Sequence, residues 1–246
     1  MKKMDNIRPA SEEEQGQNGN KRAAWLLVIL IAVLMITGIL FSVFLSEEEE
    51  YASITEGAPK EKDAEGFWVV DMPTPNVSEG VNKVEGIILH HTATENGEEA
   101  LKLLTTPGSN VSCHVMIDTD GTRYVLADPT AITWHAGRSR LNGREGCNDF
   151  TVGIEFQGNT VESPLTDAQI ESALDYVVPL IHEYNIPLQN IVTHEEIRNE
   201  YMEAHPKSKV KPKVDVTASE HERFMTALRH KMRAELFPSL RENQDS

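Results

Sequence analysis

Apolar positions are spread unevenly along the chain. Residues 23–45 read AAWLLVILIAVLMITGILFSVFL without a charge, the length a helix needs to cross a hydrocarbon core. Lys21 and Arg22 precede this run directly, with Lys2, Lys3 and Arg8 upstream, whereas four glutamates at 47–50 follow it. That asymmetry of Lys and Arg places the N-terminus in the cytoplasm and the remaining chain outside it. The pattern predicts a retained transmembrane anchor over 21–45. A cleaved signal peptide fits less well, because the run exceeds an ordinary apolar region of about 7–15 residues and no clear A-x-A site follows. Residues 1–20 lack apolar periodicity and read as a disordered cytoplasmic tail, and 46–65 as an acidic, self-repelling linker.

Beyond the linker the periods change. GIILHH (Gly86–His91), HVMID from His114, TRYVLA from Thr122, TVGIEF (Thr151–Phe156) and NIVTH from Asn190 are short apolar or β-branched runs that predict strands. Asp120-Gly121 joins the second and third as a hairpin, since Asp-Gly supplies the positive φ angles of a tight turn. Thr166 with Gln169 forms a capping box ahead of Ile170, Leu174, Val177, Val178, Ile181 and Tyr184 on one helical face. Pro179 predicts a kink or division of that helix. Thr217 and Glu220 predict a second capping box, opening a helix to about Phe237. Strands and helices interleave, which predicts an α/β domain over 66–238, a central mixed β-sheet flanked by helices, with a tail at 239–246.

The formal net charge of −16 excludes a nucleic-acid partner, which requires a basic face to displace phosphate counterions. Cys113 and Cys147 are too few for a disulfide framework and have no CxxC spacing; two buried free thiols are the simpler reading, and a single disulfide stays open. The chain holds nine histidines. Two of them, His90 and His194, close predicted strands, where the backbone fixes a side chain at a sheet edge. Two such residues can fill two corners of a tetrahedral zinc site, which then needs a third protein ligand and an open position.

The segments IILHHTAT, SCHVMIDTDGT, TWHAG, GCNDFTVGIEFQG and IVTH occur in this order. Together they resemble the type 2 N-acetylmuramoyl-L-alanine amidases, a family of phage lysozymes, cytosolic muropeptide amidases and animal peptidoglycan-recognition proteins. The resemblance covers about residues 84–215. It implies a Zn2+ site of His90, His194 and a third ligand that matches Asp215 in Lys213-Val214-Asp215, with His205 as the rival. The expected Pro-Gly after this ligand is Val216-Thr217 here, and the segment from His194 to Asp215 looks longer than in the cytosolic members. His91 is expected to face the other side of its strand.

The resemblance further implies Glu155 as general base and Lys213 as a positive charge beside the developing oxyanion. Trp134, His135 and Asn148 read as groove residues for sugar or peptide, with structural support of the sheet edge as the competing reading. Cys113 stands where the phage enzymes carry a tyrosine, and Gly146 where the muropeptide enzymes carry an arginine. The implied reaction is zinc-dependent hydrolysis of the amide between N-acetylmuramic acid and L-alanine in peptidoglycan, by a domain held outside the cytoplasmic membrane. A non-catalytic peptidoglycan-binding module and a membrane-tethered scaffold are the alternatives.

Overall fold

The computed structural model describes residues 54–236, together with Leu26, 29–30 and 33–37 of the N-terminal apolar run. Residues 1–56 and 57–246 form separate units. Most of the expected anchor, and the expected tails at 1–20 and 239–246, lie outside the described residues. Those anchor residues that are described are helical with exposed apolar side chains, such as Leu26 and Leu34. Among the described residues no helix is long and apolar enough to cross a membrane.

The second unit is built on a mixed sheet of β1 (Lys60–Lys62), β2 (Trp68–Asp71), β4 (Gly86–His91), β5 (Val115–Ile117), β6 (Arg123–Val125), β10 (Thr151–Phe156) and β11 (Ile191–Thr193). Short pairs join β3 (Val77–Ser78) to β7 (Ile132–Thr133) and β8 (Arg140–Leu141) to β9 (Arg144–Glu145). The strand order of the large sheet is β1-β2-β6-β5-β10-β4-β11. Its centre, β5, β10, β4 and β11, is parallel, and β4 is buried at every position. The continuous apolar run of β4 reflects cover on both faces of the sheet.

Strand parity sorts the side chains. Ile87 and Leu89 of β4, with Val152, Ile154 and Phe156 of β10, pack into one core against α2 (Asp167–Tyr184) and α4 (Ala218–Leu236). Ile88 faces the other way, into a smaller cluster with Ala136, Leu141, Cys147, Phe150 and Ile197, the last from α3 (His194–Ala204). Because β4 and β10 pair in parallel with Glu155 opposite His90, both side chains fall on this second face. The apolar alternation of two strands thus places a histidine and a carboxylate side by side.

Several expectations shift. The hairpin forms as predicted, with Gly121 at φ 86 where the chain turns between β5 and β6. The Thr166–Gln169 capping box is present, but Pro179 does not divide its helix, which runs for 18 residues. Pro179 is exposed, so its ring lies on the outer face of the helix. No box closes at Thr217, because Glu220 Oε2 accepts from Leu165 N–H at 3.0 Å and from Arg223 at 3.1 Å instead. The linker expected to reach residue 65 ends earlier: β1 pairs with β2, and Asp63 meets Arg123 at 2.6 Å in a largely buried ion pair. A helix not foreseen, α1 (Gly97–Thr105), is capped by the Asn96 side chain. Cys113 and Cys147 are free and buried.

Candidate active site

Three segments converge at the C-terminal end of β4. His90 is fully buried near the end of that strand. His194 was expected to close a strand; instead β11 ends at Thr193 and His194 is the first residue of α3. Thr193 and Glu196 form the capping box that sets this junction, with Glu196 Oε2 accepting from Thr193 N–H at 2.7 Å and Thr193 Oγ1 from Glu196 N–H at 3.3 Å. The signal was legible in Thr193-His194-Glu195-Glu196. Asp215 enters from the loop before α4. Its Oδ1 accepts the backbone N–H groups of His91, at 2.6 Å, and Val216, at 3.1 Å, which aims Oδ2 at the histidines.

His90 Nδ1 and His194 Nδ1 are 3.0 Å apart, and they lie 3.6 and 3.4 Å from Asp215 Oδ2. Asp215 Oδ2 is sealed from solvent and makes no hydrogen bond, and its charge is met by Lys213 Nζ at 3.0 Å. A cation with tetrahedral bonds of about 2.0–2.1 Å separates its ligands by about 3.3–3.4 Å. The two imidazoles and the carboxylate therefore fit such an ion, with one corner left over. His205 is elsewhere: it caps the C-terminus of α3, with Nε2 at 2.6 Å from Glu145.

The ring tautomers follow from the hydrogen bonds behind the cluster. His135 Nε2 faces the Thr151 carbonyl at 3.3 Å and so carries its proton. His135 Nδ1 then accepts from His90 Nε2 at 3.1 Å, which leaves His90 Nδ1 with a bare lone pair toward Asp215 and His194. A backing partner of this kind orients a metal-binding imidazole. Burial, then the neighbouring His90, His114 and His194, hold His135 well below the usual histidine range, so it stays neutral. His114 stands beside it, accepting Gly153 N–H on Nδ1 at 2.9 Å and facing the Ala131 carbonyl through Nε2 at 3.0 Å. Burial lowers its pKa to about 4. The His135 ring occupies the space beside Gly153, where a Cβ would lie 2.4 Å from its Cγ.

Glu155 is half-buried, with Oε2 sealed from solvent and unpartnered. Burial raises its pKa, with His90 opposing and Asp215 adding to the rise. Burial also disfavours the charge on Asp215, but the nearby His90, Lys213 and His194 outweigh it and keep the carboxyl well below its ordinary range. Lys213 Nζ lies 3.0 Å from Asp215 Oδ2 and 3.1 Å from His194 Nδ1. His194 is pushed down to about 2 by burial, then by His90 and Lys213. Two carboxylates on one face thus have environments that push their pKa values apart, the arrangement in which one stays anionic and the other can exchange a proton.

The three expected groove residues have other partners. His135 is buried and both its ring nitrogens are used within the protein, one of them as a prop of His90. Asn148 Oδ1 accepts Ala136 N–H at 2.7 Å and pins the same loop. Trp134 is half-buried and its indole N–H donates to Ser78 Oγ at 2.8 Å, with the ring partly open to solvent. His91 faces the opposite side, where its Nδ1 accepts Thr160 N–H at 3.1 Å. Sequence reasoning missed Arg198, whose Nη2 stands 3.2 Å from His194 Nε2, one helical turn along α3.

The family model for N-acetylmuramoyl-L-alanine amidase matches residues 80–213. The 1,6-anhydro-N-acetylmuramyl-L-alanine amidase AmpD of Enterobacter cloacae is 41% identical over 91 residues, which cover 37% of this chain and 47% of that protein. The Haemophilus influenzae protein of the same name is 40% identical over 105 residues, 42% of this chain and 52% of its own. The chain therefore spans about half the length of the curated relatives it matches. Among solved structures, a selenomethionine derivative of AmpD aligns at 24% identity and a TM-score of 0.47, covering 63% of this chain and 92% of the other. The family match includes His90, Glu155, His194 and Lys213 and ends two residues before Asp215, and it takes in more than half of the sequence: this chain belongs to the N-acetylmuramoyl-L-alanine amidase family.

Proposed function

We propose that this chain is a zinc-dependent amidase that hydrolyses the bond between N-acetylmuramic acid and L-alanine. The carrying observation is the convergence of His90, His194 and Asp215 beside an unpartnered Glu155. Imidazole and carboxylate donors in a tetrahedral set suit zinc. Zinc held there would supply the Lewis acidity that lowers the pKa of water and polarises a carbonyl. The chain's own residues do the rest. Glu155, with its pKa raised by burial, takes the proton of the attacking water and returns it to the departing amide nitrogen. Lys213 Nζ holds a fixed positive charge where the carbonyl oxygen becomes anionic. His135 keeps the His90 tautomer that leaves Nδ1 free to bind the ion.

The relatives are named for 1,6-anhydro substrates. Gly146 stands in place of the arginine expected of those enzymes, so their preference for anhydro-sugar fragments is not carried over to this chain. The charge-free run at 23–45 and the lysines and arginines before it support a membrane anchor with the catalytic unit outside the cytoplasm. The test offers purified, metal-analysed protein both intact sacculi and 1,6-anhydro-muropeptide, with product ends identified by mass spectrometry. New muramic acid and L-alanine ends are expected. Stoichiometric zinc with no new ends on either substrate overturns the enzyme reading and leaves a wall-binding module.

A further inference from the structure

The segment between His205 and Lys213 carries a feature that the amidase chemistry does not use. Lys207, Lys209 and Lys211 are exposed, while Ser208 and Val210 between them are half-buried. Arg138, from the loop after Trp134, lines with Lys207 a cleft of about 400 Å³ that Tyr201, His205 and Ser208 also line. Among the described residues no carboxylate pairs with Arg138, Lys207, Lys209 or Lys211; the acid that reaches the cleft wall, Glu145, is paired with His205. In a chain with 39 acidic and 23 basic residues, four neighbouring cations without counter-charges are unexpected. Clustered like charges repel in the free protein, and an arriving polyanion removes that repulsion while releasing its own counterions. The strip ends at Lys213, whose Nζ is 3.0 Å from Asp215 Oδ2.

We propose that Arg138 and Lys207, Lys209 and Lys211 form a track for a phosphodiester-linked polyol or sugar polymer of the wall. The polymer seats one unit in the cleft and leads the attached glycan toward the metal site. A guanidinium and ammonium groups suit phosphate, and the Tyr201 ring and Ser208 hydroxyl suit a polyol or sugar unit. A concave cleft favours a flexible polymer over a flat bilayer surface. The choice of a wall polymer rests on the amidase reading, but its test is separate, because binding is measured without hydrolysis.

The experiment uses the full chain in non-ionic detergent and measures binding of a glycerol-phosphate oligomer by calorimetry at several salt concentrations. Lys207→Gln/Lys209→Gln/Lys211→Gln should weaken binding by about tenfold or more at low salt and reduce the salt slope by about 0.7 for each phosphate no longer neutralised. Arg138→Gln should weaken it further, and zinc content and cleavage of a soluble muramoyl-dipeptide should not change. Inorganic polyphosphate of the same charge separates the sources of affinity: equal binding of both polymers indicates charge alone and removes the polyol-reading role of the cleft. Unchanged oligomer affinity in the triple variant overturns the track. Loss of binding to phosphatidylglycerol vesicles with the oligomer unaffected overturns it in favour of a membrane surface.

Discussion

Two clusters in this domain each bring three potential metal ligands within reach of one another. His90, His194 and Asp215 are buried, and Asp63, Glu65 and Asp175 lie near the surface at the other edge of the sheet. In the second cluster the charges are already matched: Asp63 by Arg123 at 2.6 Å, and Asp175 by a close approach of Lys231, which also lies 3.9 Å from Glu65. In the first, all three ligands are buried, two of them are imidazoles, and burial pushes His194 down to about 2. Proximity of donors is common to both. Buried imidazole donors, in place of carboxylates already held by Arg123 and Lys231, are what distinguish a place for an ion from a salt-bridge network.

Mutations can break this contrast, and the largest effect is expected at the buried cluster. His90→Ala should abolish zinc binding and hydrolysis, and Asp215→Ala should weaken both, whereas Glu65→Ala should leave metal content untouched. Metal analysis after dialysis decides; if His205→Ala empties the protein while Asp215→Ala leaves it full, the third ligand is misassigned. Next comes Glu155→Gln, which keeps the size of the side chain but accepts no proton. Zinc and fold should persist while kcat falls on the order of 10²–10⁴-fold, with little change in KM. Near-normal turnover in a zinc-loaded variant would remove Glu155 from the proton transfers.

The surface cluster should answer in stability rather than in activity. Arg123→Met leaves Asp63 partly buried without its cation, a loss on the order of 3 kcal/mol by denaturant titration, with zinc retained. Equal stability would show that water compensates Asp63. The smallest effect is pH-dependent and belongs to His114. Its folded pKa of about 4 lies below the ordinary 6.5, so its neutral form is fully compatible with the fold above pH 6.5. As pH falls from 6.5 to 4 the unfolded chain takes up a proton that the folded chain refuses, and stability declines by up to about 3 kcal/mol. His114→Gln should flatten that slope; an unaltered slope assigns the acid sensitivity to other groups.

The convergence of His90, Glu155, His194, Lys213 and Asp215 was legible because strand parity and motif order survive folding. His90 and Glu155 share a face as a direct consequence of their alternation with Ile87, Leu89, Val152 and Ile154. His135 was not legible as a prop. The histidine of a WHAG loop carries no periodicity, and its burial depends on packing against Gly153 across the sheet. The salt bridge of Asp63 was hidden for a similar reason: in a charge-rich stretch, one carboxylate that finds a buried arginine looks like its solvated neighbours. Local signals such as the Thr193–Glu196 box could have been read, and they would have placed His194 on a helix.

Gly153 has a consequence for anyone diversifying this domain in the laboratory. The ring of His135 lies where any larger residue at 153 would put its first carbon, and that ring fixes the His90 tautomer. In a saturation library, single changes at 153 should disappear from the active pool. They should return only in clones that also carry a smaller residue at 135, and those clones must then hold His90 by other means. The two positions behave as a lock with two keys, inherited together or replaced together.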